Sequence, residues 1–352
     1  MQLLFSEFRR PPEAGSRPGP VLTPPWAGLA SAPPVDPPAW AALRARLDAR
    51  WRELVGPFPP AGPLQPRVVR REELADHTRL LVHYRTDRAG APDSEPDAYL
   101  LLPHGFTGRR PGMVVLHQTT NEHIAQAVGL SGRETMHLAL HLVRRGYVCL
   151  APRNFLWSRE GVPLQQITSD LLGRRWREGN AGEFQWRTGM ARMTWDAMRA
   201  ADYLTSRPEV DPDRIGCIGH SLGGKEALYL PAFDPRIRAT VSCEGGIGLK
   251  FSNWDADWYL GKQIRGENFN SDHHELLALI APRAFLLIGG ESADGSPSWP
   301  YIEQCLPVWR AHSAEQRLGL MRHRFGHDFP PPGPEREHVW KWLDHWMGKD
   351  DR

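Results

Sequence analysis

The chain has 352 residues, 41% of them hydrophobic and 24% charged, with a formal net charge of +2. That length allows a sizeable core, as one large α/β domain or two ordinary ones, and the charge balance gives no electrostatic case for a nucleic-acid partner. Four cysteines, Cys149, Cys217, Cys243 and Cys305, show no CxxC spacing, so reduced core thiols are expected and neither a disulfide framework nor a metal site.

The first residues, MQLLFSEFRRPPEAG, mix acidic and basic side chains with no uninterrupted apolar stretch, and no later run reaches about 18 consecutive apolar residues. Neither a secretory signal nor a spanning helix is expected, and the default location is cytoplasmic. Residues 1 to 66 are crowded with proline, which excludes central strands and confines any helix to the gaps. One helix fits, from Pro38 to Leu54, where Trp40, Leu43, Leu47, Trp51 and Leu54 recur at three- and four-residue steps. The region reads as an arm over a catalytic domain of residues 67 to 352.

From residue 67 the pattern changes. RVVRREEL and TRLLVHYRT alternate as half-buried antiparallel strands do, and DAYLLLP follows. Continuous apolar runs then alternate with helical segments. GMVVLHQ precedes a helix near 130 to 145, YVCLAPR a long interruption and a helix near 188 to 206, and IGCIGH a helix opening at Ser221. RATVSCEGG follows, then RAFLLIGGE with a helix near 298 to 312, and RLGLMRH with a last helix at 334 to 347. Such alternation predicts a doubly wound α/β fold: a mostly parallel sheet covered on both faces, with an antiparallel N-terminal edge. The interruptions at 154 to 187 and 245 to 275 follow strands, where α/β sheets place ligands, and are candidate walls of a substrate pocket.

Gly219, Ser221 and Gly223 fit G-x-S-x-G between a strand and a helix, a turn so tight that small neighbours are needed and the serine hydroxyl is pushed out above the sheet. The plainer alternative is a glycine-lined turn with an incidental serine. A serine nucleophile requires a histidine base, and that base an orienting carboxylate, in the chain order Ser, acid, His. The Gly326-His327-Asp328 loop after the last strand supplies His327 as the expected base; His323, at the strand end, is the alternative. Three carboxylates compete to be the acid: Asp294 on the loop after RAFLLIGG is preferred, with Glu291 nearer that strand's end and Glu244 at the end of the neighbouring strand. Backbone N–H groups of Leu222 and of Thr119, with Gln118 next, are the expected oxyanion donors. Lys225 is a candidate substrate contact or a packed stem with a paired head. Trp157, Trp254 and Trp258 are candidates to stack on a sugar ring or simply core packing.

Residues 67 to 352 resemble an α/β-hydrolase of the dienelactone-hydrolase and acetyl xylan esterase-like branch. The resemblance rests on VVLHQTTNE, RRGYVCLAPR, DPDRIGCIGHSLGGKEAL and the closing GHDF. It implies Ser221, Asp294 and His327 as a triad, with the Thr119 and Leu222 amides as the oxyanion hole, and no cofactor. Gln118 stands where the family usually has glycine, and serine stands where a dienelactone hydrolase has cysteine, so that particular activity is not implied. The function expected is a serine hydrolase of carboxylic esters acting through an acyl-enzyme on a small-molecule or carbohydrate ester, with no membrane partner and no oligomeric state assigned. The alternatives are a prolyl-oligopeptidase-type serine peptidase, for which the arm is too short to form a propeller, and a non-catalytic binding module on a hydrolase scaffold.

Overall fold

The computed structural model describes residues 5–87, 94–176 and 184–348. The ends of the expected arm and catalytic domain, and part of the interruption at 154 to 187, lie outside them. In chain order the elements are α1 (Pro37–Val55), β1 (Arg67–Glu73), β2 (His77–His83), β3 (Asp97–Pro103), β4 (Arg110–Leu116), α2 (His123–Ala127), α3 (Leu138–Arg144) and β5 (Val148–Pro152). Then come α4 (Leu164–Gly173), a two-stranded ribbon of β6 (Arg175–Trp176) and β7 (Phe184–Gln185), α5 (Gly189–Thr205), β8 (Val210–His220), α6 (Leu222–Phe233) and β9 (Ile237–Cys243). The chain closes with α7 (Asp257–Leu260), α8 (His273–Ala278), β10 (Ala284–Gly289), α9 (Trp299–Arg310), β11 (Leu318–Arg322) and α10 (Pro334–Trp346).

The main sheet has nine strands in the order β1-β2-β3-β5-β4-β8-β9-β10-β11. The pairs β1/β2, β2/β3 and β3/β5 are antiparallel, whereas β4/β5, β9/β10 and β10/β11 are parallel. The alternating N-terminal segments thus form the antiparallel edge, and the continuous apolar runs form parallel strands whose residues are buried on both faces, as in all of β5 and β10. The helix expected over 130 to 145 is shorter. Gly132 takes positive φ (74°), which an α-helix does not contain, so the segment holds a 3-10 turn at Glu134–Met136 followed by α3, with α2 lying before it.

The described residues form two compact units. One comprises residues through Trp51, Gly216–Asn253 and those from Asn268 onward; the other comprises Arg52–Ile215 and Trp254–Glu267. In the first, the arm is tied down by side chains of α1: Trp51 is 1% exposed and donates to Glu275 Oε2 at 3.0 Å, and Arg44 donates to the Leu279 carbonyl at 3.3 Å. In the second, a buried charge cluster braces α5. Arg192 donates to Asp87 and to Asp196 at 2.8 Å each, and the Trp186 indole also donates to Asp87 at 3.3 Å. Burial lifts Asp196 to about 6 despite the arginine. Among the described residues no helix is long and apolar enough to cross a membrane, and no cluster of His, Cys, Asp or Glu could hold a metal ion.

Candidate active site

The chemistry-bearing groups of the first unit gather at the ends of β8, β9, β10 and β11. Ser221 follows β8 and N-caps α6 with φ 54° and ψ −115°, a conformation that only a closely held non-glycine residue keeps. Two contacts hold it: Ser221 N–H donates to the Cys243 carbonyl at 2.8 Å, and Lys225 N–H donates back to the Ser221 carbonyl at 3.0 Å. Gly219 is required, because a Cβ there would collide with the backbone of Gly223. Gly224 and Gly245 are also required. A Cβ on Gly224 would stand 2.7 Å from the Cys243 carbonyl oxygen, and one on Gly245 2.7 Å from the Gly224 carbonyl carbon. The glycines therefore let α6 press directly onto the end of β9, and Glu244 is the first residue beyond that strand.

His327 Nε2 lies 2.9 Å from Ser221 Oγ, and its Nδ1 lies 3.0 Å from Glu244 Oε2. A carboxylate on one side makes Nδ1 the protonated nitrogen, leaving Nε2 to accept from the serine hydroxyl. Glu244 takes φ 51°, and its carboxylate, fully buried, also accepts from Gly290 N–H and, at 2.7 Å, from Ala293 N–H. Three donors converge on one buried carboxylate, an arrangement that keeps it aimed.

This placement corrects the expected acid. Asp294 accepts from Gly246 N–H at 2.7 Å, from Ile247 N–H at 2.8 Å and from the Ser298 hydroxyl at 2.8 Å, which aims it at the segment following Glu244. Burial, with a smaller contribution from the nearby Glu244 charge, lifts Asp294 to about 6. Glu291 turns instead to Ser296, accepting from its N–H at 2.9 Å and its hydroxyl at 2.8 Å. His323 is 5% exposed, and its Nδ1 accepts from Phe325 N–H at 3.1 Å, so it shapes the loop that presents His327. Leu222, the first residue of α6, presents its N–H at the positive end of that helix. Lys225 is 3% exposed, and its charge acts on the buried imidazole of His273.

The remaining candidates sit in the second unit. Gln118 and Thr119 follow β4; the Gln118 amide donates to Gln126 Oε1, and Thr119 lines a cavity of about 810 Å³. Trp157 also lines that cavity, with Asn121, His123, Arg153 and Glu160, none of which the sequence singled out. Its ring packs edge-on against His117 at 5.2 Å. His117 is fixed by donating to the Gln118 carbonyl at 2.8 Å and accepting from Asn154 N–H at 3.1 Å, and burial pushes it down to about 4, so the ring is neutral at pH 7. Trp258 lines a second cavity of about 850 Å³ and stacks on Tyr259 at 3.9 Å. Trp254, 1% exposed, is a core residue and offers no face to a ligand.

Residues 97–260 match the family model described as the dienelactone hydrolase family. A Bacillus subtilis protein named "Putative hydrolase YtaP" is 27% identical over 70% of this chain and 81% of its own length. The 4-O-methyl-glucuronoyl methylesterase of Hypocrea jecorina is 33% identical over 46% of this chain, and its counterpart from Sodiomyces alcalophilus 34% identical over 37%. The chain spans less than half of either methylesterase, 42% and 32%. Among solved structures, a glucuronoyl esterase from Solibacter usitatus superposes with TM-score 0.71 at 19% identity, covering 96% of this chain and 99% of that one. The chain is thus related to carboxylic ester hydrolases; its fold is that of the α/β-hydrolases, and residues 97–260 match the dienelactone hydrolase family.

Proposed function

We propose that the protein is a serine esterase that cleaves carboxylic esters of carbohydrates through an acyl-enzyme, with Ser221, His327 and Glu244 as its triad. The observation that carries this reading is the continuous relay from Ser221 Oγ to His327 Nε2 and from His327 Nδ1 to Glu244, at 2.9 and 3.0 Å. Ser221 Oγ attacks the ester carbonyl carbon as His327 Nε2 takes its proton; the imidazolium then returns that proton to the departing alcohol. Water attacks the acyl-enzyme by the same route and releases the acid. Glu244 stabilises the imidazolium in both halves, and the Leu222 N–H donates to the oxygen that becomes negative.

Carbohydrate is favoured as the carrier of the ester by the methylesterase relatives, whose names specify a glucuronoyl ester. A relay with all three groups in hydrogen-bond contact argues against a non-catalytic module. The test is a fluorophosphonate probe with mass mapping of the adduct, alongside a hydrolysis screen of methyl glucuronate, acetylated sugars, aryl esters and dipeptide amides. We expect an adduct at Ser221 and turnover of esters but not of amides; folded protein with no Ser221 adduct sinks the reading.

A further inference from the structure

Glu244 keeps an unusual torsion, and its own hydrogen bonds are one part of what holds it, the chain on either side being the other. A non-glycine residue at φ 51° relaxes towards the ordinary β or α regions unless the chain on either side is held, and such relaxation swings its carboxylate away from His327. On the strand side it is held by β9, paired in parallel with β10. On the other side it leads directly into Gly245 and Gly246, the two residues least able to hold a conformation by themselves.

The segment beyond the glycines is gripped at several points. Asp294 takes the N–H groups of Gly246 and Ile247, Asp272 takes that of Leu249 at 3.1 Å, and His273 Nδ1 meets the Ile247 carbonyl at 2.8 Å. The last contact has a definite polarity. A carbonyl can only accept, so Nδ1 carries the proton, and Nε2 must be an acceptor; there the Tyr229 hydroxyl, 2.7 Å away, is its donor. His273 therefore works in one neutral tautomer. Its burial, with the Lys225 charge adding to the effect, pushes it down to about 3, so it stays uncharged throughout the neutral range.

What encloses this imidazole comes from the arm. The indole of Trp51, in the last turns of α1, stacks over the His273 ring at 5.6 Å and 27°, and it meets the Tyr229 ring edge-on at 6.3 Å. Trp51 is itself pinned by its hydrogen bond to Glu275, whose other oxygen pairs with Arg50 at 2.7 Å. His273, Trp51 and Tyr229 are each no more than 1% exposed. A ring of this kind, sealed from water and given one donor and one acceptor, cannot rotate or exchange its proton without breaking both bonds.

We propose that His273 is a positioning residue for Glu244, and that the N-terminal arm, through Trp51, seals it in the tautomer that grips the Ile247 carbonyl. The arm is on this reading a working part of the catalytic apparatus. The inference rests on the esterase reading given above, since it assigns Glu244 as the acid.

The test compares His273→Asn, His273→Gln and Trp51→Leu in the full-length chain, by steady-state hydrolysis of a small aryl ester and by thermal midpoint. An asparagine amide reaches the place of Nδ1 and can donate to Ile247; a glutamine amide reaches the place of Nε2 and cannot. We expect His273→Gln to lower kcat at least tenfold with KM within about twofold, and His273→Asn to retain at least a third of wild-type kcat. Trp51→Leu should lower kcat, again with KM little changed, at temperatures well below its thermal midpoint. Equal kcat for the Asn and Gln variants overturns the role of His273, and wild-type kcat for folded Trp51→Leu overturns that of the arm. Wild-type protein that hydrolyses no ester overturns the esterase reading, and the positioning role with it.

Discussion

Glu244→Gln replaces one carboxylate oxygen by an amide NH2 where three donors converge, and the consequences can be worked through for each way the amide can lie. With the NH2 at the Oε2 position it faces the Ala293 N–H, donor against donor, and forces His327 Nδ1 to become an acceptor. The imidazole proton then sits on Nε2, pointing at Ser221, and the base can no longer take the serine proton. A wrong tautomer of this kind costs roughly 10⁴ in kcat, or about 5.5 kcal/mol of barrier. With the amide reversed, the tautomer survives but the NH2 opposes the Gly290 N–H and the imidazolium loses its charged partner. Exchanging a charge-assisted hydrogen bond for a neutral one is worth about 1.5–3 kcal/mol, or roughly 10- to 100-fold. Either orientation leaves one buried backbone donor unpaired, so stability drops by about 1–3 kcal/mol while the chain still folds. The assay is steady-state hydrolysis of an aryl ester with circular dichroism as the folding control. The expected result is a fall in kcat of about 10- to 10⁴-fold, according to the orientation the amide takes, with KM nearly unchanged. The reasoning is refuted if Glu244→Gln stays within tenfold of wild type while Asp294→Asn or Glu291→Gln loses more.

Two further outcomes concern stability. Asp294 is displaced upward from 3.8 to about 6, chiefly by burial, so the folded chain binds its proton more tightly than the unfolded chain does. Its effect is therefore a loss of stability, on the order of 3 kcal/mol, that sets in as pH rises from about 4 through 6. Asp294→Asn lacks that dependence, so the difference between variant and wild-type thermal midpoints should move in favour of the variant over that interval; a constant difference from pH 4 to 7 contradicts the account. Arg192→Leu strands Asp87 and Asp196 in the interior without their cation and should cost about 3–5 kcal/mol in urea unfolding, with a loss below 1 kcal/mol counting against the cluster as a brace.

The sheet was legible because its signal is carried by composition along each segment. Runs such as AFLLIG and VCLAP are apolar at every position, and the two faces of a parallel strand demand that. The contact between Ser221 and His327 could be anticipated on a different ground: G-x-S-x-G sets small residues around a serine in a strand-to-helix turn, and a histidine lies on the loop after the last strand. The acid was not legible. Glu244 follows β9 while Glu291 and Asp294 follow β10, all beyond the C-terminal ends of neighbouring strands, and the choice among them is made by backbone torsions that the residue types do not encode. Glu244 at φ 51° turns its side chain across to His327, whereas Asp294 turns towards the Gly246 and Ile247 amides. The only hint in the sequence was the Gly-Gly pair after Glu244, which permits both the unusual torsion and the contact with Gly224. Trp254 stayed open between platform and core packing because tryptophan density alone does not separate the two. The helix expected over 130 to 145 is confined to Leu138–Arg144, after Gly132 with its positive φ and a 3-10 turn.

The serine and the acid are joined more tightly than their separation along the chain suggests. Ser221 N–H is bonded to the carbonyl of Cys243, and Cys243 is the covalent neighbour of Glu244. Sliding β8 along β9 would have to break that bond, which therefore resists any change in the spacing of the two groups. His327 stands on the loop beyond β11, where the neighbouring Asp328 carbonyl accepts from the Cys243 thiol at 3.6 Å, and its side chain is 43% open to solvent while that of Glu244 is wholly enclosed. The serine and the carboxylate are thus held together by one hydrogen bond between adjacent strands, whereas the imidazole comes from a third segment and is the member of the three most open to solvent.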